Sequence, residues 1–410
     1  MSGAAETAGT SGVLAPLGVY IHYPYCLSKC PYCDFASRAE AVIPQRRYTE
    51  AILRELAAQA PRFQGGRRAV SIYFGGGTPS LWEPALFSQV LREARSLFEV
   101  PADAEITLEA NPGTTDEGRF SAFRAAGANR ISIGVQSFAS RQLIALGRAH
   151  TGGDAERAYL TARKAGFDNI SLDLIHGAEA QDVQGARRDA AHAAALGPEH
   201  VSAYALTLVG LAEDVPMAKA VRRGDTVVPD DDVVAEMGEA VREEFTKAGY
   251  SRYEISNFAK PGREAVHNSL YWRGLEYAAV GCGACGFSRD RSGSSTTLGG
   301  ARSVGRRWQN DRSPERYLER VEQTGLGEAS FEELGADEHL RERIFTGLRL
   351  AEGLDLAALE TDLATPVRSR FAAELDKLVR EGLALLEGPR LSLTDRGLDL
   401  HSEAALRFFP

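Results

Sequence analysis

Short runs of apolar and β-branched residues recur at 19–22, 70–74, 105–109, 130–135, 169–174 and 200–206. Between them the period changes. Residues 47–60 carry Tyr48, Ile52, Leu56 and Ala60 at every fourth position, and 84–98 carry Leu86, Val90, Leu91, Ala94 and Phe98. Such a stripe lies on one face of a helix. Six strands alternating with helices predict parallel strands joined by right-handed crossovers. A sheet of this kind opens as a doubly wound α/β fold or curls into a partial barrel, and the pattern alone allows both. Within 130–136, Ile131, Ile133 and Val135 point one way and Ser132, Gly134 and Gln136 the other. Gln136 therefore sides with small residues that leave room for a ligand.

The second half reads differently. Asp230 and Asp232 open a helix that runs to Ala248, with carboxylates at its positive end. Residues 290–302 read as a loop. Beyond them the pattern is mainly helical, at 314–324, 337–348, 355–363 and 367–381, followed by a hairpin of 383–387 and 390–393 around Gly388-Pro389. Three helices and a hairpin resemble a winged helix. Residues 1–16, rich in Ala, Gly, Ser and Thr, predict a disordered leader.

Charge and composition narrow the class. The 410 residues are 44% hydrophobic and 25% charged, ordinary for a globular chain with room for two or three domains. A net charge of −9 argues against nucleic-acid binding, which calls for a basic face. No 18-residue apolar run predicts a membrane span. Lys29 is the first Lys or Arg, which argues against a secretory signal or an Arg-rich transit peptide. The expected compartment is the cytoplasm.

Three of the five cysteines form C-x3-C-x2-C at Cys26, Cys30 and Cys33, after the first strand. Pro24 and Pro31 keep this loop out of helix. Chance, a zinc site and an iron–sulfur cluster are the readings. Zinc wants four closed ligands. Three thiolates on a cluster leave one iron open. Other chemistry falls just after strands, where barrels of parallel strands place their sites. Gly75-Gly76-Gly77-Thr78-Pro79 follows the second strand, as a tight turn or a place where backbone approaches a ligand. Glu109 and Asn111 close the third and could bind hydroxyls or an ammonium group, or cap a helix. Arg148 could clamp a carboxylate or lie on the surface. Asp173 is a carboxylate inside an apolar strand, which needs a partner.

The cysteine spacing, with Tyr32 before the last cysteine, resembles the radical S-adenosylmethionine (SAM) superfamily. Tyr-Ile-His-Tyr-Pro-Tyr-Cys, Gly-Gly-Gly-Thr-Pro-Ser, Glu-Ala-Asn-Pro-Gly-Thr, Gly-Val-Gln-Ser-Phe and Leu-Gly-Arg-Ala-His resemble the oxygen-independent coproporphyrinogen III oxidase family, closest to its heme chaperone (HemW) branch. The resemblance spans about residues 17–400 and implies a partial (β/α)6 barrel with a C-terminal, mainly helical, winged-helix-like domain. Its expected divisions are 17–250 for the barrel, 251–302 for a connecting region and 303–410 for the C-terminal domain. It implies a [4Fe-4S] cluster on Cys26, Cys30 and Cys33, with SAM at the open iron. The implied SAM contacts are Tyr20, Tyr32, Gly76, Gly77, Thr78, Glu109, Gln136, Arg148 and Asp173. The stretch containing His267, Asn268, Tyr271 and Trp272 resembles a segment associated with heme. A histidine beside flat aromatics suits an iron macrocycle, and equally suits a packed core.

Within the family, the oxidases carry a further cysteine two residues after the third, where this chain has Phe35. They also carry a longer N-terminal arm. Both differences favour a chaperone that binds heme and delivers it to acceptor hemoproteins at or near a membrane. A coproporphyrinogen-decarboxylating oxidase and a radical SAM methyltransferase stay as alternatives, and a dimer stays open. Two segments depart from the family. Gly177-Ala-Glu-Ala-Gln181 replaces Gly-Leu-Pro-Gly-Gln, and Gly281-Cys282-Gly-Ala-Cys285-Gly replaces Gly-Pro-Gly-Ala-His-Ser. Cys282 and Cys285 could form a redox pair or half a metal site, and two buried thiols among glycines is the preferred reading.

Overall fold

Alternation along six strands sorts the side chains into two sets. The strands are β1 (Ala15–Tyr23), β2 (Arg67–Gly76), β3 (Glu105–Ala110), β4 (Arg130–Gln136), β5 (Ile170–His176) and β6 (His200–Ala205). They pair in parallel in chain order, β1 to β6. A doubly wound sheet would reverse direction part-way. Here the order runs on without reversal, so the helices stay on one face and the sheet curls as a partial barrel. The computed structural model describes residues 14–114, 116–208, 215–290 and 303–409.

One set faces the helices: Val19, Ile21, Ile72, Phe74, Ile106, Leu108, Ile131, Ile133 and Leu172 are fully buried. Each such side chain contributes roughly 1.5–3 kcal/mol. Against them pack α1 (Gln45–Gln59), α2 (Pro84–Leu97), α3 (Glu117–Ala126), α4 (Gly152–Lys164) and α5 (Val183–Leu196). Local chemistry sets their ends. Asp116 caps α3 by accepting from the Arg119 N–H at 2.8 Å, and Thr151 with Asp154 forms a capping box on α4. Helix α6 (Asp231–Lys247) carries Asp231 and Asp232 in its first turn, as its sequence predicts.

The other set faces inward and is polar or small. Tyr20 stands beside Tyr73, Glu109 beside Ser132, Asp173 beside Ser202. The N-terminal half of this interior is filled by α7 (Val266–Trp272). Glu105 holds its first turn, accepting from Val266 N–H at 3.0 Å and His267 N–H at 3.1 Å. The C-terminal half stays open.

The sheet continues past both ends of the six strands. β7 (Ser251–Glu254) and β8 (Asn257–Ala259) add antiparallel to β6. On the other side β9 (Glu276–Val280) pairs parallel with β1, and β10 (Cys285–Arg289), β11 (Ser303–Asn310) and β12 (Glu328–Gly335) follow antiparallel. The expectation that the chain beyond 302 is mainly helical is corrected by β11 and β12. Trp308, Tyr317, Leu318 and Val321 pack in the barrel's core, so 303–335 belongs with the barrel rather than with the C-terminal unit. Glu55 joins these parts. Its buried carboxylate accepts from Gly281 N–H (2.8 Å), Gly327 N–H (2.9 Å), Asn310 Nδ2 (2.8 Å) and Tyr317 Oη (2.7 Å).

A second core, from Leu340 to Phe408, holds the C-terminal unit. It contains helices Ala336–Gly347, Leu356–Leu363, Val367–Arg370 and Ala372–Arg380, and a hairpin of Ala384–Glu387 with Arg390–Leu393, extended by the short strand Leu354–Asp355. The helix expected over 367–381 breaks at Phe371, whose ring turns inward onto Phe408 at 5.2 Å. At the barrel, Arg349 lies over Trp272 at 4.1 Å and pairs with buried Glu254 at 3.0 Å. Two further expectations meet the described residues only in part. Ala15 and Pro16, assigned to the leader, are strand residues paired with Arg67 and Arg68, while 1–13 lie outside the described residues. Of the 290–302 loop, all but Asp290 lies outside them too.

Candidate cluster and SAM site

The cysteine loop leaves β1 at Tyr23 and is pinned at its base by a two-residue parallel ladder, Tyr25–Cys26 against Arg38–Ala39. A turn brings Cys33 N–H to Cys30 O at 3.1 Å. The glycine run after β2 fits against this base. Gly77 N–H donates to Tyr23 O at 2.7 Å and Thr78 N–H to Tyr25 O at 2.9 Å. Gly76 has φ +115°, and a Cβ there would lie 2.5 Å from the His22 ring. Side chains are excluded at this position by both conformation and space.

Cys26, Cys30 and Cys33 line one cavity of about 430 Å³ at the C-terminal end of the strands. Thr78 Oγ1 lies 3.5 Å from Cys26 Sγ, Arg148 Nη1 3.3 Å from Cys30 Sγ, and Ser37 Oγ 3.6 Å from Cys33 Sγ. All three thiols are free of disulfides. Among the described residues, no three Cys, His, Asp or Glu groups converge as ligands of a single ion would. Three free thiols on one cavity, with a cation and two hydroxyls beside the sulfurs, suit an iron–sulfur centre.

Tyr32, Gly76, Gly77, Thr78, Glu109, Gln136, Arg148 and Asp173 line the same cavity. Glu109 accepts from Tyr73 Oη at 2.7 Å and Gly76 N–H at 3.0 Å. Burial pushes its carboxyl up to about 7, and the nearby Asp173 adds to the push. Asp173 is also raised by burial and accepts from Ser132 Oγ at 2.8 Å. Two half-buried carboxylates whose ionisation is disfavoured suit a ligand bearing positive charge. Arg148 Nε is buried and finds no hydrogen-bond partner among the described residues, while Arg130 Nε lies 3.9 Å from the buried Glu105 carboxylate. A ligand with both a cationic group and a carboxylate, as in SAM, fits this donor set. Gln136 reaches the cavity from a left-handed backbone, φ +64°, where the β4–β5 register shifts.

Tyr20 does not line the cavity. Its hydroxyl donates to His22 Nδ1 at 2.9 Å, and His22 Nε2–H donates to Ala36 O at 2.9 Å. It braces the wall and the cysteine loop from behind. His267, read as a heme-associated residue, is fully engaged elsewhere. Nδ1 bonds Ser71 Oγ at 2.8 Å, Nε2 bonds Tyr271 Oη at 2.7 Å, and its ring stacks on Tyr73 at 5.0 Å. Burial lowers its pKa to about 3. Both ring nitrogens are hydrogen-bonded to protein groups in this arrangement. Tyr271 is tied to that imidazole, and Trp272 sits under Arg349. Of the four residues, Asn268 alone lines the cavity.

Sequence reasoning assigned no role to Tyr73, Arg130, Ser132 or Ser202, which line or brace the site. Their place on the inward register of neighbouring strands was the available signal. Asn111 links two predicted contacts, its Nδ2 donating to Thr78 Oγ1 at 2.8 Å and its Oδ1 accepting from Arg148 Nη2 at 2.5 Å. In the altered turn, Gln181 Oε1 accepts from Gly177 N–H at 2.7 Å and closes the loop itself. Cys282 is buried but Cys285 is exposed, so only one thiol of the second pair is a core residue.

Comparison with known proteins converges on one family. The radical SAM superfamily description matches residues 20–190, and the HemN C-terminal domain matches residues 334–400. The heme chaperone HemW of Mycobacterium tuberculosis H37Rv is 37% identical over 386 residues, covering 93% of this chain and 92% of the relative. The chain belongs to the HemW family. HemW of Escherichia coli K12 is 42% identical over 274 residues, 67% of this chain and 70% of that protein. The mouse mitochondrial radical S-adenosyl methionine domain-containing protein 1 is 32% identical, covering 99% and 89%. The solved structure of E. coli coproporphyrinogen III oxidase, HemN, aligns with TM-score 0.78 at 22% identity over 96% of this chain and 90% of that one. That likeness establishes the partial barrel and its helical C-terminal unit. The radical SAM family implies a [4Fe-4S] cluster and SAM. Among the described residues, no helix is long and apolar enough to cross a membrane.

Proposed function

We propose that this chain is a radical-SAM-type heme chaperone, which binds heme and passes it to acceptor hemoproteins. Support comes first from relatives named heme chaperones that match it along nearly its whole length. Phe35 carries the reading at the level of residues. It occupies the position where the related oxidases carry a further cysteine, and its ring stands 64% exposed beside the cavity.

Cys26, Cys30 and Cys33 would hold the cluster, which when bound supplies an iron with an open position for SAM. The chain's own residues position and exclude. The glycine run after β2 and the base of the cysteine loop brace each other through backbone bonds, which fixes where the loop leaves β1. Glu109, ionised by an approaching cation, keeps its bonds from Tyr73 and Gly76. Arg148 balances negative charge at the cysteines and is steadied by Asn111 and by Gly134 O at 3.0 Å. Helix α7 closes the far end of the barrel against water.

The test uses anaerobically reconstituted protein with iron and sulfide content confirmed. Hemin is titrated while the Soret band is followed. In parallel, coproporphyrinogen III, SAM and reductant are supplied, and protoporphyrinogen and 5′-deoxyadenosine are assayed. Saturable, stoichiometric hemin binding without decarboxylation is expected. Turnover to protoporphyrinogen would make the chain an oxidase despite Phe35.

A further inference from the structure

We infer that the heme docks on Phe35, at the mouth of the cavity, with its two carboxylates in an adjoining cationic hollow. The inference rests on the chaperone reading and gives it a place on the surface. Among the described residues, Phe35 and Phe331 are the exposed phenylalanines. Phe331 is covered by the Arg306 guanidinium at 4.0 Å. Phe35 has no such cover, yet its backbone is fixed: its carbonyl accepts from Ser37 N–H at 2.6 Å and from Lys29 Nζ at 3.3 Å. An exposed aromatic ring on a restrained backbone is a docking face with a reduced ordering cost on binding.

Phe35 forms a ridge between two depressions. On one side is the cavity that holds the three cysteines, whose opposite wall includes Ile175, Tyr204 and Leu206. On the other is a hollow of about 320 Å³, floored by Val215 and Pro216 and edged by Lys29, Arg312 and Arg316. Its lining has three cations, of which Arg312 lies 3.5 Å from Asp34 and Arg316 lies 3.0 Å from Asp311 just behind it, on a chain whose net charge is −9. Three cations stand against Asp34 and Asp311, which leaves a local positive excess; their donors suit the two propionates of a tetrapyrrole, and the apolar ring suits its face. An apolar peptide would leave the cations unused, and a simple anion would leave the ring unused.

The experiment compares ligands on wild-type holoprotein first, so that no variant need fold. Hemin, its dimethyl ester and metal-free protoporphyrin IX are titrated against the reconstituted protein. Hemin and protoporphyrin are expected to bind alike, and the ester about tenfold more weakly, because the carboxylates are masked. Phe35→Ala should weaken all three. The double variant Arg312→Glu/Arg316→Glu should weaken hemin about tenfold and leave the ester unchanged, with iron and sulfide content as the check on the cluster loop. Equal binding of hemin and ester, or unchanged affinity in Phe35→Ala, would overturn the site while leaving the chaperone reading intact. Absence of hemin binding by wild type would overturn both. Loss of binding to anionic vesicles in the double variant, with hemin affinity unchanged, would assign the patch to a membrane surface and also overturn it.

Discussion

Glu55→Ala tests how the barrel is joined to the strands that complete its sheet. The carboxylate receives four donors at 2.7–2.9 Å, all buried. Asn310 Nδ2 also bonds Gly281 O at 2.8 Å, so its loss counts least. An unsatisfied buried donor costs roughly 1–3 kcal/mol, so the other three set a cost of about 3–9 kcal/mol. Removing a buried carboxylate offsets part of this, since burial alone disfavours its charge. The expected net loss is about 3 kcal/mol. Glu55→Gln keeps one oxygen but turns an NH2 toward two donors, for a loss of about 2 kcal/mol. Urea unfolding with a constant slope would read both, against Glu50→Ala on the exposed face of the same helix, expected within about 0.5 kcal/mol of wild type. Hydrogen exchange at the Gly281 and Gly327 amides should quicken in both Glu55 variants. A loss under about 1 kcal/mol for Glu55→Ala would refute the idea that these four bonds join the two parts.

Three further outcomes follow from the site. The Glu109 carboxyl, raised to about 7, is protonated in part at neutral pH, so a cationic ligand that prefers it ionised binds more tightly as pH rises. From pH 6 to 8 the ionised fraction rises about tenfold, and SAM affinity by calorimetry should follow it; Glu109→Gln should bind weakly with a flat profile, and a flat wild-type profile would contradict the assignment. In the absence of ligand the sign is opposite, because the folded state holds a proton that the unfolded chain releases above its ordinary value near 4.5, so stability falls as pH rises toward 7 and then levels. Gly76→Ala should cut iron incorporation severely, since its Cβ would meet the His22 ring at 2.5 Å and φ is +115°; normal iron content would show that the glycine is dispensable. Cys26→Ser, Cys30→Ser or Cys33→Ser should each abolish the cluster's absorbance, whereas Cys285→Ser should leave iron and sulfide unchanged, and a fall there would reveal a second metal role.

The six-stranded core was legible because each strand alternates strongly and each helix carries a clean stripe, as in Ile52 and Leu56 on α1. The cysteine and glycine loops were legible because their spacing is local. β11 and β12 were not. Glu328–Gly335 is exposed along half its length and buried only at Leu334, so no apolar alternation marks it. It is held instead by cross-strand pairs, Arg306 to Glu328 at 3.0 Å and Arg307 to Glu332 at 3.0 Å. Charged residues at that spacing look like a solvated helix when read singly. The surroundings of His267 were hidden for a related reason. Its chemistry suits iron, and its real partner Ser71 lies 196 positions earlier in the chain, brought near only by the curl of the sheet.

The central claim is that heme is cargo rather than product or substrate. It is tested most directly by loading the reconstituted protein with hemin, mixing it with an apo-hemoprotein, and following the acceptor's Soret band. The account predicts transfer that speeds up with acceptor concentration, since handover needs contact. Transfer at one fixed rate at every acceptor concentration would mean simple release into solution, and would contradict a chaperone.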